Sequence, residues 1–200
     1  MNYAHRTPPL PPKMDVADFL DWPGDGTDTR YELIDGELRA MSPASHAHNT
    51  IVANLTGLIW QHLRQCKPGL CVVAAPGIQP HVRAEWNFRI PDLGVSCSTS
   101  HAGEIMTPDP VLLIEVLSPG NPSETWQNVM GYTTLPSVQE ILVVHSTRIK
   151  AELLRRDANG HWPANPEPIK AGANIALASI EAEFPLNEAY AGTHLMAKSV

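Results

Sequence analysis

Two carboxylates stand where apolar residues would be expected. Asp92 follows Pro91 at the head of an apolar run, and Glu115 lies inside Val111–Leu117, whose other members are all apolar. A buried glutamate is costly unless it is paired, neutral or bound to a cation. The two-residue period of a strand puts Leu113, Glu115 and Leu117 on one face and Ile114 and Val116 on the other. A carboxylate directly after a proline projects from the strand end toward a cleft. If the two strands are neighbours, Asp92 and Glu115 converge on one hard divalent cation such as Mg²⁺, which takes oxygen ligands and keeps several waters. That is the arrangement of metal-assisted phosphodiester hydrolysis. Taken singly, a Pro-Asp pair is common by chance, and a lone strand glutamate is more often a salt-bridged structural residue.

The elements that must position these groups can be read from patterning. Residues 14–22 have helical spacing at Val16, Phe19 and Leu20. Tyr31–Ile34 and Glu37–Met41 alternate about Asp35-Gly36, a strong hairpin signal. Ser42–Ser45 is a capping stretch, and Ile51, Leu55, Leu58, Ile59 and Leu63 predict a long helix over 46–65, stopped by Lys67-Pro68-Gly69. Strands are expected at 70–75, 78–82, 88–97, 110–117, 138–144 and 149–155, a second helix at 124–135, an apolar stretch at 175–180 and a short helix near 186–191. The order predicts an α/β (α+β) fold, a mixed sheet with helices packed on it.

Composition limits the function classes. Two hundred residues suit one domain, taken as 14–190, with a proline-rich disordered arm over 1–13 and a tail over 191–200. No run is long enough to span a membrane, and the start has no secretory pattern. Cys66, Cys71 and Cys97 form no even framework, so free thiols in the cytoplasm are expected. The net charge of −7, with 14 basic and 21 acidic side chains, argues against tight non-specific nucleic-acid binding. There is no phosphate-binding glycine loop, serine-nucleophile elbow or zinc spacing. Trp60, Trp86, Trp126 and Trp162 could stack bases, although such residues more often fill a core.

Four separated stretches, YELIDGELRAMSPASHAH, RIPDLGV, PVLLIEVLSPG and ETWQNVMGYTTLPSVQEILVV, occur in the order found in the Uma-type restriction endonucleases. The chain resembles that family, part of the PD-(D/E)XK nuclease superfamily, over residues 14–190. The resemblance implies a four- or five-stranded mixed sheet flanked by helices, Mg²⁺ (or Mn²⁺) as cofactor and DNA as substrate. It makes Asp92 and Glu115 metal ligands, with the Val116 carbonyl a third, and gives Glu37 a place in the first motif. His48 would face the site, whereas His46 and His48 do not share a helix face and form no metal pair. Ser118 stands in a loop that could touch a phosphate, or is plain turn chemistry.

The chain departs from the pattern at its lysine. Leu117 occupies the superfamily's lysine position, and Asn128, four residues before Tyr132, occupies the alternative position on the following helix. Asn128 or Gln127 can hold a water but cannot take its proton, which leaves that task to a metal-bound hydroxide or to Glu37. The resemblance therefore carries two expectations: a metal-dependent endonuclease, or a weak or inactive interaction module on the same fold, homodimeric through its tail.

Overall fold

Local rules account for most elements in the computed structural model, which describes residues 13–97, 102–120 and 122–196. Asp15 accepts a hydrogen bond from the Asp18 amide and opens α1 (Val16–Asp21). In the hairpin of β1 (Tyr31–Ile34) and β2 (Glu37–Ala40), Asp35 (φ 52°) and Gly36 (φ 84°) both take left-handed backbone, the geometry a tight two-residue loop demands. Ser45 caps α2 (His46–Cys66), whose stripe Ile51, Leu55, Ile59 and Leu63 is buried.

The main sheet has the order β3 (Cys71–Ala74), β4 (Leu93–Ser96), β5 (Pro110–Leu117), β6 (Glu140–His145), β7 (Lys150–Arg155) and β8 (Glu167–Lys170). Every pairing is antiparallel except β5 with β6, and α3 (Pro122–Tyr132) is the crossover that a parallel pair requires. The expected mixed sheet with helices is thus present, with six strands where the resemblance implied four or five. A separate ribbon of β9 (Asn174–Leu177) and β10 (Ala182–Pro185) leads into α4 (Leu186–Ala189).

Strand β5 is buried on both faces, as a central strand should be. Leu112, Ile114 and Val116 meet the α2 stripe and the ribbon's Ile175, Ile180 and Phe184. Leu113 meets Ile141, Val143, Val129 and Tyr132 on the α3 side. A smaller cluster of Met14, Val16, Leu33 and Phe88 seats the hairpin.

Two expected strands are largely irregular. Over 78–82 only Ile78 makes a bridge, to Arg89, because the chain turns at Pro80. The run 88–97 is divided at Pro91: Phe88 bridges Leu33 of the hairpin, and regular pairing resumes only at Leu93. The expected disordered arm lies outside the described residues apart from Lys13. The tail's first part is packed, for Thr193 is buried and Asn54 donates to the Ala191 carbonyl. Trp60 is exposed with the Arg64 guanidinium over its ring, and Trp126 and Trp162 pack against the α3-side cluster. None of the three cysteines forms a disulfide. Among the described residues no helix is long and apolar enough to cross a membrane.

Candidate active site

Antiparallel pairing of β4 with β5 sets Leu93 opposite Ile114 and so brings Asp92 beside Glu115 and Val116. Asp92 Oδ2 accepts the Val116 N–H at 2.7 Å and lies 3.3 Å from His48 Nε2. His48 reaches it from the first turn of α2, where the Ser45 hydroxyl accepts the His48 amide at 3.2 Å. Burial works against a charged His48 ring, but the hydrogen bond and charge of Asp92, with Asn49 and the Val116 backbone, outweigh it and raise its pKa.

Glu115 is 7% exposed and points to the α3 side. The Tyr132 hydroxyl donates to its Oε1 at 2.8 Å. Glu124, Asn128 and Tyr132 recur at four-residue spacing, which gives α3 one polar stripe. The Asn128 amide sits 3.4 Å from both oxygens of Glu32, and Arg39 of β2 donates to Glu124 at 3.0 Å, so hairpin and crossover helix meet over the site. Glu32 Oε1 also accepts the Ile90 N–H at 2.7 Å, which ties the hairpin to the segment leading into Asp92. Burial first, then the charges of Asp92 and Glu32, push the Glu115 pKa well above the ordinary carboxylate range, and hydrogen bonds from Tyr132 and Asn128 only partly oppose this. Burial likewise raises Glu32, against the opposing Ile90 N–H and the Arg89 charge.

The hairpin's contribution differs from expectation. Glu37 is exposed, next to the turn and across from Ile34. Glu32, paired with Arg39 in the same register, is the acid turned into the cluster. The Asp35-Gly36 turn and strand alternation already implied that pairing. What they could not supply was the docking of β1 on Phe88 and Ile90.

Asp92, Glu115, Val116 and Asn128 are brought together; Glu37 and His46 are not. His46 stands exposed beside Thr50, and Leu117 packs on the α3-side cluster. Asn128 is buried with its amide at Glu32 and its Oδ1 without a partner. Lys67 pairs with Glu181 and Lys150 with Glu152, so neither offers an ammonium to Glu115.

The donor set fits a hard divalent cation. It consists of carboxylate and carbonyl oxygens, Asp92 Oδ1 has no hydrogen-bond donor among the described residues, and the acids repel one another without a facing ammonium. Among the described residues no three His, Cys, Asp or Glu side chains close into a cage. Two carboxylates and one carbonyl leave room for the waters that Mg²⁺ retains.

Residues 16–185 match the Uma2 family, described as "Putative restriction endonuclease". The chain belongs to the Uma2 family. The match begins at the first residue of α1 and ends at the last of β10, so it includes the whole acidic cluster. Over 192 residues, 94% of this chain and 97% of its relative, the Uma2 chain is 26% identical to the uncharacterized protein slr1290 of Synechocystis. Its fold is similar to the crystal structure of a "putative nuclease belonging to DUF820" from Anabaena variabilis, with a TM-score of 0.72 and 15% identity over 88% of this chain and 97% of that one.

Proposed function

We propose that this Uma2 protein is a metal-dependent nuclease that hydrolyses phosphodiester bonds in DNA. The observation that carries this reading is Glu115, buried beside Asp92 and Glu32; among the described residues no lysine reaches the group, and the nearby cations, Arg89 and His48, act on Glu32 and Asp92 rather than on Glu115. Asp92, Glu115 and the Val116 carbonyl would hold Mg²⁺, with Mn²⁺ able to replace it. The bound cation would neutralise charge on the scissile phosphate and lower the pKa of water.

The chain's own residues do the rest. Tyr132 fixes the Glu115 carboxylate and His48 fixes Asp92. Asn128 stands where the superfamily's alternative lysine would, and holds Glu32 in place. Water would attack phosphorus as the bond to the leaving oxygen breaks, its proton passing to Glu32, whose burial raises its proton affinity, and the leaving oxygen taking a proton from solvent.

The test is nicking of supercoiled plasmid with Mg²⁺ and with Mn²⁺ by the wild type, Asp92→Ala and Glu115→Ala, prepared identically. Activity in the wild type alone supports the reading, and equal behaviour of all three overturns it. The second reading, a nuclease-fold interaction module without activity, is favoured by one observation: both lysine positions hold residues without charge, Leu117 and Asn128.

A further inference from the structure

The acidic cluster poses a difficulty for any polyanion that approaches it. Asp92, Glu115 and Glu32 repel a phosphodiester, and the cations nearest them are engaged or out of reach. His48 Nε2 faces Asp92 at 3.3 Å. Arg89 is 6% exposed and gives its Nη1 to the Leu33 carbonyl, so its charge steadies Glu32 but does not meet a ligand at the surface.

Arg39 is differently placed. In the hairpin register it stands directly opposite Glu32, so the two side chains leave the same face of the ribbon. Glu32 turns into the cluster, whereas Arg39 Nη1 pairs with Glu124 Oε1 at 3.0 Å. Glu124 lies one turn of α3 before Asn128, whose amide sits at Glu32. The guanidinium therefore stands roughly 5–6 Å, one helical turn, from the Asn128–Glu32 contact. That is the outer end of the polar stripe that leads inward to Tyr132 and Glu115. The charge of Arg39 is felt at Arg89, and that of Glu124 at Glu32.

The pair is built to exchange. Its side chains are 41% and 43% exposed, and an ion pair so open to water is weak. Among the described residues Arg39 has one of its five N–H donors engaged, the one at Glu124. A phosphate offers a planar guanidinium two parallel bonds, a better partner than a single carboxylate oxygen. We propose that Arg39 is a substrate-binding residue: a phosphate of the DNA backbone displaces Glu124 and takes the guanidinium at the mouth of the cluster. Glu124 holds the arginine in place until then and competes with the substrate for it. The inference rests on the nuclease reading and adds the residue that receives the substrate.

Fluorescence anisotropy with labelled DNA, as duplex and as single strand, tests this on the full chain with Ca²⁺ in place of Mg²⁺. The variants are Arg39→Ala, Glu124→Gln and the two combined. Arg39→Ala should lose about tenfold in affinity for the form that the wild type binds. It should also lower the salt slope by about 0.9 on duplex or 0.7 on a single strand, the value of one phosphate contact. Glu124→Gln should gain about threefold, the order of what an exposed pair holds back, and the gain should vanish in the combined variant. Opposite signs from the two halves of one ion pair are the signature, because a purely structural clasp between hairpin and α3 would weaken binding when either half is removed. Stabilisation by Mn²⁺ should stay that of the wild type in all three. An Arg39→Ala protein that binds like the wild type, a Glu124→Gln protein that does not gain, a gain that survives without Arg39, or a loss of Mn²⁺ stabilisation in either single variant overturns the inference. If the wild type binds neither form of DNA while Mn²⁺ still stabilises it in a Glu115-dependent way, the Arg39 inference fails and the metal reading stands. If that stabilisation is also absent, the nuclease reading fails with it.

Discussion

Replacing Glu115 by glutamine should stabilise the metal-free protein, although it removes a proposed ligand. The Gln carbonyl can still accept from Tyr132, and its new amide can donate toward Asp92. What disappears is a buried charge beside two other acids. An uncompensated buried charge costs roughly 3–5 kcal/mol, and the donors from Tyr132 and Asn128 offset part of that. A net gain of about 2 kcal/mol is expected once Glu115 is ionised. For a chain of this length that is about 4–8 °C in melting temperature. The sign with pH follows from the raised pKa. Below the unfolded-state value near 4.5 the wild-type side chain is protonated in both states, so wild type and variant melt alike. As pH rises through the higher folded-state value, the unfolded chain holds fewer protons than the folded one, wild-type stability falls, and the gap opens. Thermal melts in a chelating buffer from pH 4.5 to 9, with and without Mn²⁺, provide the assay. Mn²⁺ should reverse the order by stabilising only the wild type. A gap independent of pH, or a variant less stable throughout, refutes the reasoning.

Three further outcomes follow from the same contacts. Asn128→Lys should bring an ammonium to Glu32 and Glu115 and raise plasmid nicking at least tenfold, toward the 10²–10⁴ that a positioned proton-transfer group contributes. Tyr132→Phe should keep the fold, lose about 1–2 kcal/mol, and weaken Mn²⁺ binding measured by thermal shift, because Glu115 loses its fixed orientation. Glu140→Ala should be among the more damaging single changes, costing about 2–4 kcal/mol in chemical denaturation. It removes the acceptor for the Ala178 and Ser179 amides, which join the ribbon to the sheet, while the exposed Arg155 keeps the Ala176 carbonyl.

The parts of the fold that were legible in the sequence are those set by local chemistry. Asp35-Gly36 fixes the hairpin, Ser45 and the Ile51–Leu63 stripe fix α2, and the apolar run holding Glu115 could only be a buried strand. Prolines blurred the rest. Pro80 and Pro91 interrupt runs that look continuous by hydrophobicity, while the short edge strand β8 tolerates Pro168 because an edge strand does not need every donor. In the site, Asp92 and Glu115 were visible because a charge in an apolar context needs a reason. Glu32 was hidden because an acid in an alternating strand looks solvated. Only the docking of β1 on Phe88 and Ile90, more than fifty positions away in sequence, turns that face inward.

That docking separates two kinds of durability. The hairpin is not a strand pair of the main sheet; it is held by backbone bonds to Phe88 and Trp86, by Glu32 to Ile90 and Asn128, by Arg39 to Glu124, by Arg89 to the Leu33 carbonyl, and by a small apolar cluster. Its apolar cluster is smaller than the sheet's, so opening of the hairpin as a unit is expected to cost less than unfolding the sheet. Glu32 would leave with it. On heating, the protein would lose its competence for chemistry before it loses its shape, and cooling from that point would restore the first without any need to refold the sheet.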